Sequence, residues 1–236
     1  MTKYFTDSPY EKEMMEIPYI PMEITKKDEF RKSLSYHNSC KFCMYYSQGK
    51  DKCKRTVCPF INERIKKKCI TLLELIPPII YGTKNEKFYF RLLNLYYKVQ
   101  EEKTMCLFKS DTHKKIFDKQ VNLYKKQGYI LSNRFAAALY ILTSDSFIWN
   151  RSKYHIKPNV ILFDEIDIKG IEPDSYLLFK MAKDFINKTN KVSTSELADK
   201  LITRELLFQV IINGIIIARY GIDIVELKMI PKGGKH

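Results

Sequence analysis

The chain has 236 residues, of which 45% are hydrophobic and 29% are charged. This composition supplies one sizeable core and, with few glycines and no repeated tract, excludes collagen-like, low-complexity and wholly disordered proteins. Half of the net charge of +14 lies in residues 37–70, where nine Lys or Arg stand against two Asp or Glu. Such a segment indicates an anionic partner, namely nucleic acid, an acidic protein face or a membrane surface. AT-rich coding, which enriches lysine on an ordinary solvated surface, is an equally good explanation.

The first 36 residues mix charges and three prolines without a sustained period, so we expect an N-terminal arm over residues 1–36. They lack the continuous apolar segment of a secretory signal. The longest apolar stretch, Leu206 to Ala218, is shorter than the ~20 residues that a membrane span needs. We therefore expect a cytoplasmic protein without membrane contact, whose six cysteines are metal ligands or buried thiols rather than disulfides.

Helical periodicity dominates the chain after the arm. Apolar residues recur at helical spacing from Ile61 to Ile76, where two prolines are expected to end the helix. Thr83 and Glu86 have the spacing of a capping box, in which each side chain binds the backbone amide of the other residue. This pair predicts a second helix that ends near residue 103.

After residue 104 the pattern predicts a series of further helices, with start signals at Ser110, Pro173 and Ser193 and stop signals at Gly128 and Gly221. The expected helices cover 110–128, 133–142, 145–154, 173–187, 193–201 and 204–220. Residues 160–163 form a short β-prone run, and residues 222–227 are a candidate terminal strand. The segment 204–220 is apolar on nearly all faces, which favours a core helix over the DNA-reading helix of a helix-turn-helix motif.

The fold class that follows is mainly α, with a helical domain and a small N-terminal four-cysteine metal-binding module. The expected organisation is an arm over 1–36, a cysteine module running into a basic helix over 37–69, linking helices over 70–104, and a C-terminal helical domain over 105–236.

Four cysteines within 19 residues carry the clearest chemical signal: Cys40, Cys43, Cys53 and Cys58. A Cys-x2-Cys pair points two sulfurs at one ion, and the polar stretch 47–51 can turn the chain back to bring the other two. We predict a structural zinc site that is closed to water and therefore does not catalyse. An iron–sulfur cluster, thiols without metal, and His37 in place of one ligand are the alternatives.

The helix after the cysteines is strongly basic. Cations beside the sulfurs can merely neutralise thiolate charge, whereas the lysines of the helix fall off its apolar stripe and form an exposed face. We predict that this face contacts nucleic acid or an acidic partner. Its residues are Lys54, Arg55, Arg64, Lys66, Lys67 and Lys68.

A second polar group, Asp164, Glu165 and Asp167 with Lys169, follows the β-prone run. Carboxylates at a strand end can hold Mg²⁺ for a nuclease, but a solvated loop is the more ordinary interpretation. The sequence contains no Gly-rich phosphate loop, dinucleotide fingerprint or His-Glu-x-x-His. It therefore assigns no catalytic residue, and a metal-dependent nuclease is the third hypothesis for function.

The segment Asn38 to Glu63, with Cys-x2-Cys, Tyr-Tyr and Cys-Pro-Phe, resembles short cysteine modules of uncharacterised proteins from prophages and conjugative elements of low-GC Gram-positive bacteria. Leu107 to Tyr220, including Asp111-x-His113 and Trp149, is similar to a helical region of the same proteins. The resemblance implies a mobile-element protein that acts in the bacterial cytoplasm on DNA or host machinery. Two functions fit: non-catalytic binding of nucleic-acid backbone, or an anti-defence role in which the protein docks on a host nuclease and inhibits it.

Overall fold

The computed structural model describes residues 46–47, 52–53, 59–68, 70–81, 83–102 and 106–227. This part of the chain is mainly helical, as the sequence predicts. Its α-helices are α1 Pro59–Lys66, α2 Pro77–Tyr81, α3 Glu86–Glu102, α4 Asp111–Lys126, α5 Asn133–Thr143, α6 Ser146–Ser152, α7 Pro173–Asn187, α8 Thr194–Ala198 and α9 Glu205–Tyr220. No helix within these ranges combines the length and apolar character needed to cross a membrane.

Two short antiparallel hairpins complete the described part. Strands β1 (Tyr46–Ser47) and β2 (Lys52–Cys53) place Tyr46 opposite Cys53. Strands β3 (Ile156–Lys157) and β4 (Val160–Ile161) are joined by a two-residue turn in which Asn159 has φ 62°. Asparagine tolerates this left-handed conformation better than most residues, so it suits the turn. The β-prone run at 160–163 is thus a strand only over its first two residues.

Side-chain caps fix the starts of four helices where the sequence predicts them. The hydroxyls of Ser110 and Ser132 accept from the amides of His113 and Phe135, at 3.1 and 3.2 Å. Asp145 Oδ1 accepts from an amide of α6, and Ser193 forms both bonds of a capping box before α8. Each cap binds a backbone amide that has no partner within its own helix, and this stabilises the helix start by ~1 kcal/mol.

Four local predictions are wrong. The predicted helix 61–76 is interrupted after α1 by Lys68, which has φ 54°. Pro77 begins α2 rather than ending a helix, because a first helical turn does not need the amide hydrogen that proline lacks. The cap of α3 is Asn85, whose Oδ1 accepts from the amide of Phe88 at 2.9 Å, not Thr83. The segment Ile222–Glu226 is a 3₁₀ turn and not a strand.

Helix α5 lies at the centre of the molecule. Every residue from Phe135 to Thr143 is buried, and the helix packs against both α7 and α9. Its alanines allow close approach, and so does Gly214 of α9, where an added Cβ would lie 2.9 Å from Cδ1 of Ile141. The interpretation of α9 as a core helix is confirmed, since ten of its sixteen residues are buried.

Helix α3 is joined to the C-terminal region through a buried arginine. The side chain of Arg91, 4% exposed, donates to the carbonyls of Leu197 and Asp199 at 2.9 and 3.1 Å, and also to that of Thr203. Its guanidinium lies 4.1 Å from the centre of the Phe208 ring. The buried apolar residues from Ile61 to Val99 and from Leu107 to Leu227 accordingly form one core.

Candidate functional site

Between residues 37 and 58, the predicted cysteine module is described only at the two strands β1 and β2. Pairing of β1 with β2 reverses the chain between Ser47 and Lys52, which is where the sequence predicts a turn that carries Cys53 back. Cys40, Cys43, Cys58 and His37 lie outside the described residues, as do Lys54 and Arg55. The four-cysteine zinc site therefore stays a prediction.

The residues of the predicted basic face differ in exposure, because Arg64 is largely buried while the lysines that follow it are exposed. Arg64 Nη2 lies 3.1 Å from Glu74 Oε2, and the two side chains are only 12% and 13% exposed. This arginine is therefore largely withdrawn from solvent, and its charge is balanced by a carboxylate. The exposed cations of this region are Lys66, Lys67 and Lys68, which we call the α1 lysines.

The α1 lysines are exposed, and they differ in whether a carboxylate lies close enough to form an ion pair. Lys67 Nζ lies 2.6 Å from the Glu63 carboxylate, and Lys68 Nζ lies 2.5 Å from the Glu226 carboxylate. Lys66 has no carboxylate within ion-pair distance among the described residues. Exposed pairs such as these are weak and are screened by salt, so a phosphate can displace their carboxylates at little cost.

Glu226 connects the α1 lysines to a second group of cations. The hydrogen bond and charge of Lys68 hold the pKa of this carboxyl below its usual range, and the charge of Lys125 at the end of α4 acts in the same direction. Lys125 and Lys126 are exposed, and neither forms an ion pair in the described part of the chain. The end of α1 and the end of α4 thus share one positively charged surface.

This surface continues onto the β3–β4 hairpin. The Asn159 side chain accepts from the amide of Ser132 at 2.7 Å and donates to the carbonyl of Ile130 at 2.8 Å. The hydroxyl of Tyr124, near the end of α4, donates to the carbonyl of Ile156 at 3.2 Å. We call residues 123–134 and 153–160 together the hairpin–loop surface.

The hairpin–loop surface combines exposed cations with exposed rings and aliphatic side chains. Ile130 is 90% exposed, Tyr154 is 80% exposed, and Tyr129 is 49% exposed. Within residues 119–163 there are seven Lys or Arg and a single acid, Asp145. That acid is engaged elsewhere, because its second oxygen accepts from Ser175 Oγ at 3.0 Å. The sequence interpretation missed this surface, although the long stretch almost without acids was a usable signal.

The three carboxylates that suggested a nuclease, Asp164, Glu165 and Asp167, do not meet at a common metal site among the described residues. Asp164 lies 2.7 Å from Lys183 Nζ, and this cation lowers the pKa of the aspartate. Glu165 lies 3.1 Å from a ring nitrogen of His155, and Asp167 lies 3.2 Å from Arg151. Each carboxylate has its own partner side chain from a different element. In the described ranges no three His, Cys, Asp or Glu residues are grouped in a way that could hold a metal ion.

The buried histidine His113 has a structural role. Its Nδ1 accepts from the amide of Lys109 at 3.1 Å, so the ring proton resides on Nε2, which lies 2.9 Å from the carbonyl of Tyr140. Burial lowers the pKa of the ring to about 4. Both nitrogens are occupied by backbone groups, and the ring is held neutral. His113 therefore has no free position from which to exchange protons with a substrate.

One groove, of about 560 Å³, lies between the starts of α7 and α9. Its charged rim is largely paired, because Arg204 and Asp174 form an ion pair at 2.6 Å and Asp145 accepts from Ser175. Neither histidine nor cysteine lines it. The one hydroxyl that it holds next to a carboxylate is that of Ser175, and that carboxylate, Asp145, also caps α6, so we assign no reaction to the groove.

Comparison with known proteins identifies no relative. No family model matches the chain, and no curated protein or solved structure is significantly similar to it.

Proposed function

We propose that the protein binds nucleic-acid backbone without catalysis, as a cytoplasmic factor of a mobile element. The observation that carries this proposal is the cluster of exposed lysines around Glu226, whose carboxylate is acted on both by Lys68 of the α1 lysines and by Lys125 at the end of α4. Phosphate groups have the complementary charge, and each phosphate contact releases condensed counterions, so a surface of this kind gains affinity for any sequence.

The local structure favours contact with backbone over base readout. Helix α1 spans only eight residues, and its apolar stripe, including Ile61 and Ile65, is buried. The apolar α9 is inside the core. The exposed polar side chains of α1, Glu63 and Lys66, occupy a helix of barely two turns, which is too short to reach several base edges along a groove. Lysine ammonium groups on short exposed turns are suited to contact phosphates, which carry no sequence information.

The proposal includes a structural zinc held by Cys40, Cys43, Cys53 and Cys58, which would place Lys54 and Arg55 beside the α1 lysines. Elemental analysis and an absorption spectrum test this part. One zinc per chain and a colourless protein are expected, whereas the brown colour of an iron–sulfur cluster would contradict it. We expect Cys43→Ser to abolish zinc binding and to leave the far-ultraviolet circular dichroism of the helices nearly unchanged. A global loss of helicity would contradict a separate module.

The salt dependence of DNA binding tests the proposed function. If five cations contact phosphates of a mixed-sequence duplex, the logarithm of the binding constant falls with the logarithm of salt concentration at a slope of about −4.5. Replacing the three α1 lysines by glutamine should reduce that slope to about −1.8. The matched control replaces three exposed lysines of other elements, Lys84, Lys115 and Lys200, by glutamine and removes the same net charge.

An equal loss of slope in both triple variants would contradict a localised interface. No binding to duplex or single-stranded probes at low salt would refute the proposal. That result would favour the alternative, in which the positive surface docks on an acidic face of a host defence nuclease and inhibits it.

A further inference from the structure

We propose that the hairpin–loop surface is a site for single-stranded nucleic acid, in which Tyr154 and Tyr129 stack on unpaired bases and neighbouring lysines contact phosphates. This inference rests on the proposed function and deepens it, because it names the strand form and the side chains that recognise it. Three features of the surface carry it.

The first feature is a fixed backbone beneath the exposed rings. Asn159 joins the hairpin turn to the loop after α4 with two hydrogen bonds of 2.7 and 2.8 Å, and Tyr124 adds a third bond from the helix. Gly128 has φ 81°, which lets the chain leave α4 sharply and hold Tyr129 outward. Rings that are positioned before binding lose little conformational entropy when a base stacks on them.

The second feature is the pairing of exposed rings with exposed cations. Lys153 Nζ lies 5.0 Å from the centre of the Tyr154 ring, and Tyr154 is 80% exposed. Lys125, Lys126 and Lys157 are exposed, and none of them forms an ion pair among the described residues. The Lys153 ammonium group also donates to Asn150 Oδ1 at 3.3 Å, an exposed hydrogen bond that a phosphate can replace. A ring beside such an ammonium group offers a stacking face for a base next to a charge for the adjoining phosphate.

The third feature is the shape of the surface. It is built from two-residue strands, a 3₁₀ turn at Lys153–His155 and the end of α4. A duplex keeps its base faces stacked inside, so exposed tyrosine rings gain nothing from it, whereas unpaired bases present faces of any sequence. Tyrosine is also better matched to a wet, stacked contact than to a lipid interior, because its hydroxyl stays in water.

The test measures fluorescence anisotropy with three probes of about 12 nucleotides: an oligodeoxythymidine, an abasic strand of equal length and a duplex. We expect Tyr154→Ala and Tyr129→Ala each to weaken binding of the oligodeoxythymidine about tenfold and to leave binding of the abasic strand unchanged. The matched control is Tyr176→Ala on α7, a tyrosine that is 44% exposed and outside the surface. Because these rings are exposed, the variants should keep the wild-type circular dichroism.

The lysines are tested separately. If Lys125, Lys126, Lys153 and Lys157 contact four phosphates, the slope of log affinity against log salt for the oligodeoxythymidine is about −2.8, and affinity falls about 50-fold between 50 and 200 mM salt. The double variant Lys153→Gln with Lys157→Gln should weaken binding of the oligodeoxythymidine and of the abasic strand alike, since both retain phosphates.

The outcomes separate this inference from the proposed function. Tight duplex binding together with tyrosine variants that bind every probe like the wild type would overturn the stacking site and leave backbone binding standing. No binding to any probe would overturn both. Binding to phosphatidylserine vesicles that is lost in Tyr154→Ala, with no response to the oligodeoxythymidine, would also overturn the inference and assign the surface to a membrane.

Discussion

The buried His113 makes the free energy of unfolding depend on pH in a way that one substitution isolates. Burial lowers the pKa of the ring from 6.5 to about 4 in the folded protein. As pH falls below 6.5 the unfolded chain takes up a proton at this residue and the folded chain does not. The free energy of unfolding therefore decreases. The contribution of His113 is therefore complete above pH 6.5 and is lost progressively as the pH approaches 4.

The magnitude follows from the two pKa values. Each pKa unit corresponds to ~1.36 kcal/mol, and integration of proton uptake from pH 7.5 to pH 5 gives a loss of ~2 kcal/mol from this residue alone. That is a large part of the ~5 to 15 kcal/mol that stabilises a typical domain. The loss reflects the cost of charging a ring that lies between two backbone groups with 2% of its surface exposed.

Urea unfolding at pH 7.5 and pH 5 measures the effect. In His113→Gln the amide can still donate to the carbonyl of Tyr140 but does not titrate, so its stability should fall by ~2 kcal/mol less than that of the wild type between the two values. An identical pH dependence in the two proteins would refute the reasoning, and so would an NMR titration of wild-type His113 with a midpoint near 6.5.

Three further substitutions test the packing by urea unfolding at neutral pH. Arg91→Met should lower the free energy of unfolding by ~3 kcal/mol, because three carbonyls, two of them in buried hydrogen bonds, lose their donor; a change below 1 kcal/mol would contradict the role given to its hydrogen bonds. Asp145→Ala should cost ~1 to 2 kcal/mol, since it removes the cap of α6 and the acceptor of Ser175, and Ser175→Ala should cost less. Gly214→Ala improves helix propensity by ~1 kcal/mol but overpacks α5 by ~1 to 3 kcal/mol, so a net gain in stability would contradict the close helix crossing.

Local signals predicted those helix ends that depend on neighbouring residues. Ser110, Asp145 and Ser193 cap the helices predicted for them, because a side-chain oxygen binds an amide only two or three residues away. The wrong predictions concern segments whose secondary structure depends on contacts with residues distant in the sequence. Pro77 is compatible with either end of a helix, and residues 222–227 are β-prone but have no strand with which to pair among the described residues.

The candidate site could be predicted from the sequence only in part. The α1 lysines follow from composition and helical spacing, but the burial of Arg64 against Glu74 and the link through Glu226 depend on tertiary packing. The hairpin–loop surface escaped prediction because its cations are spread over more than thirty positions of the chain. The hydrogen bonds of Asn159 and Tyr124 bring the two segments together in the folded chain.

The guanidinium of Arg91 has a consequence for how this chain can be divided. Its three acceptor carbonyls, that of Leu197 in α8 and those of Asp199 and Thr203 between α8 and α9, lie more than one hundred positions further along the chain. A fragment that starts at residue 106 would leave these acceptors and the face of Phe208 without their partner, so we expect it to be less stable than the same region within the full chain. Expression trials that truncate the protein should therefore retain α3, and a fragment lacking it is expected to be degraded rapidly by proteases that spare the full chain.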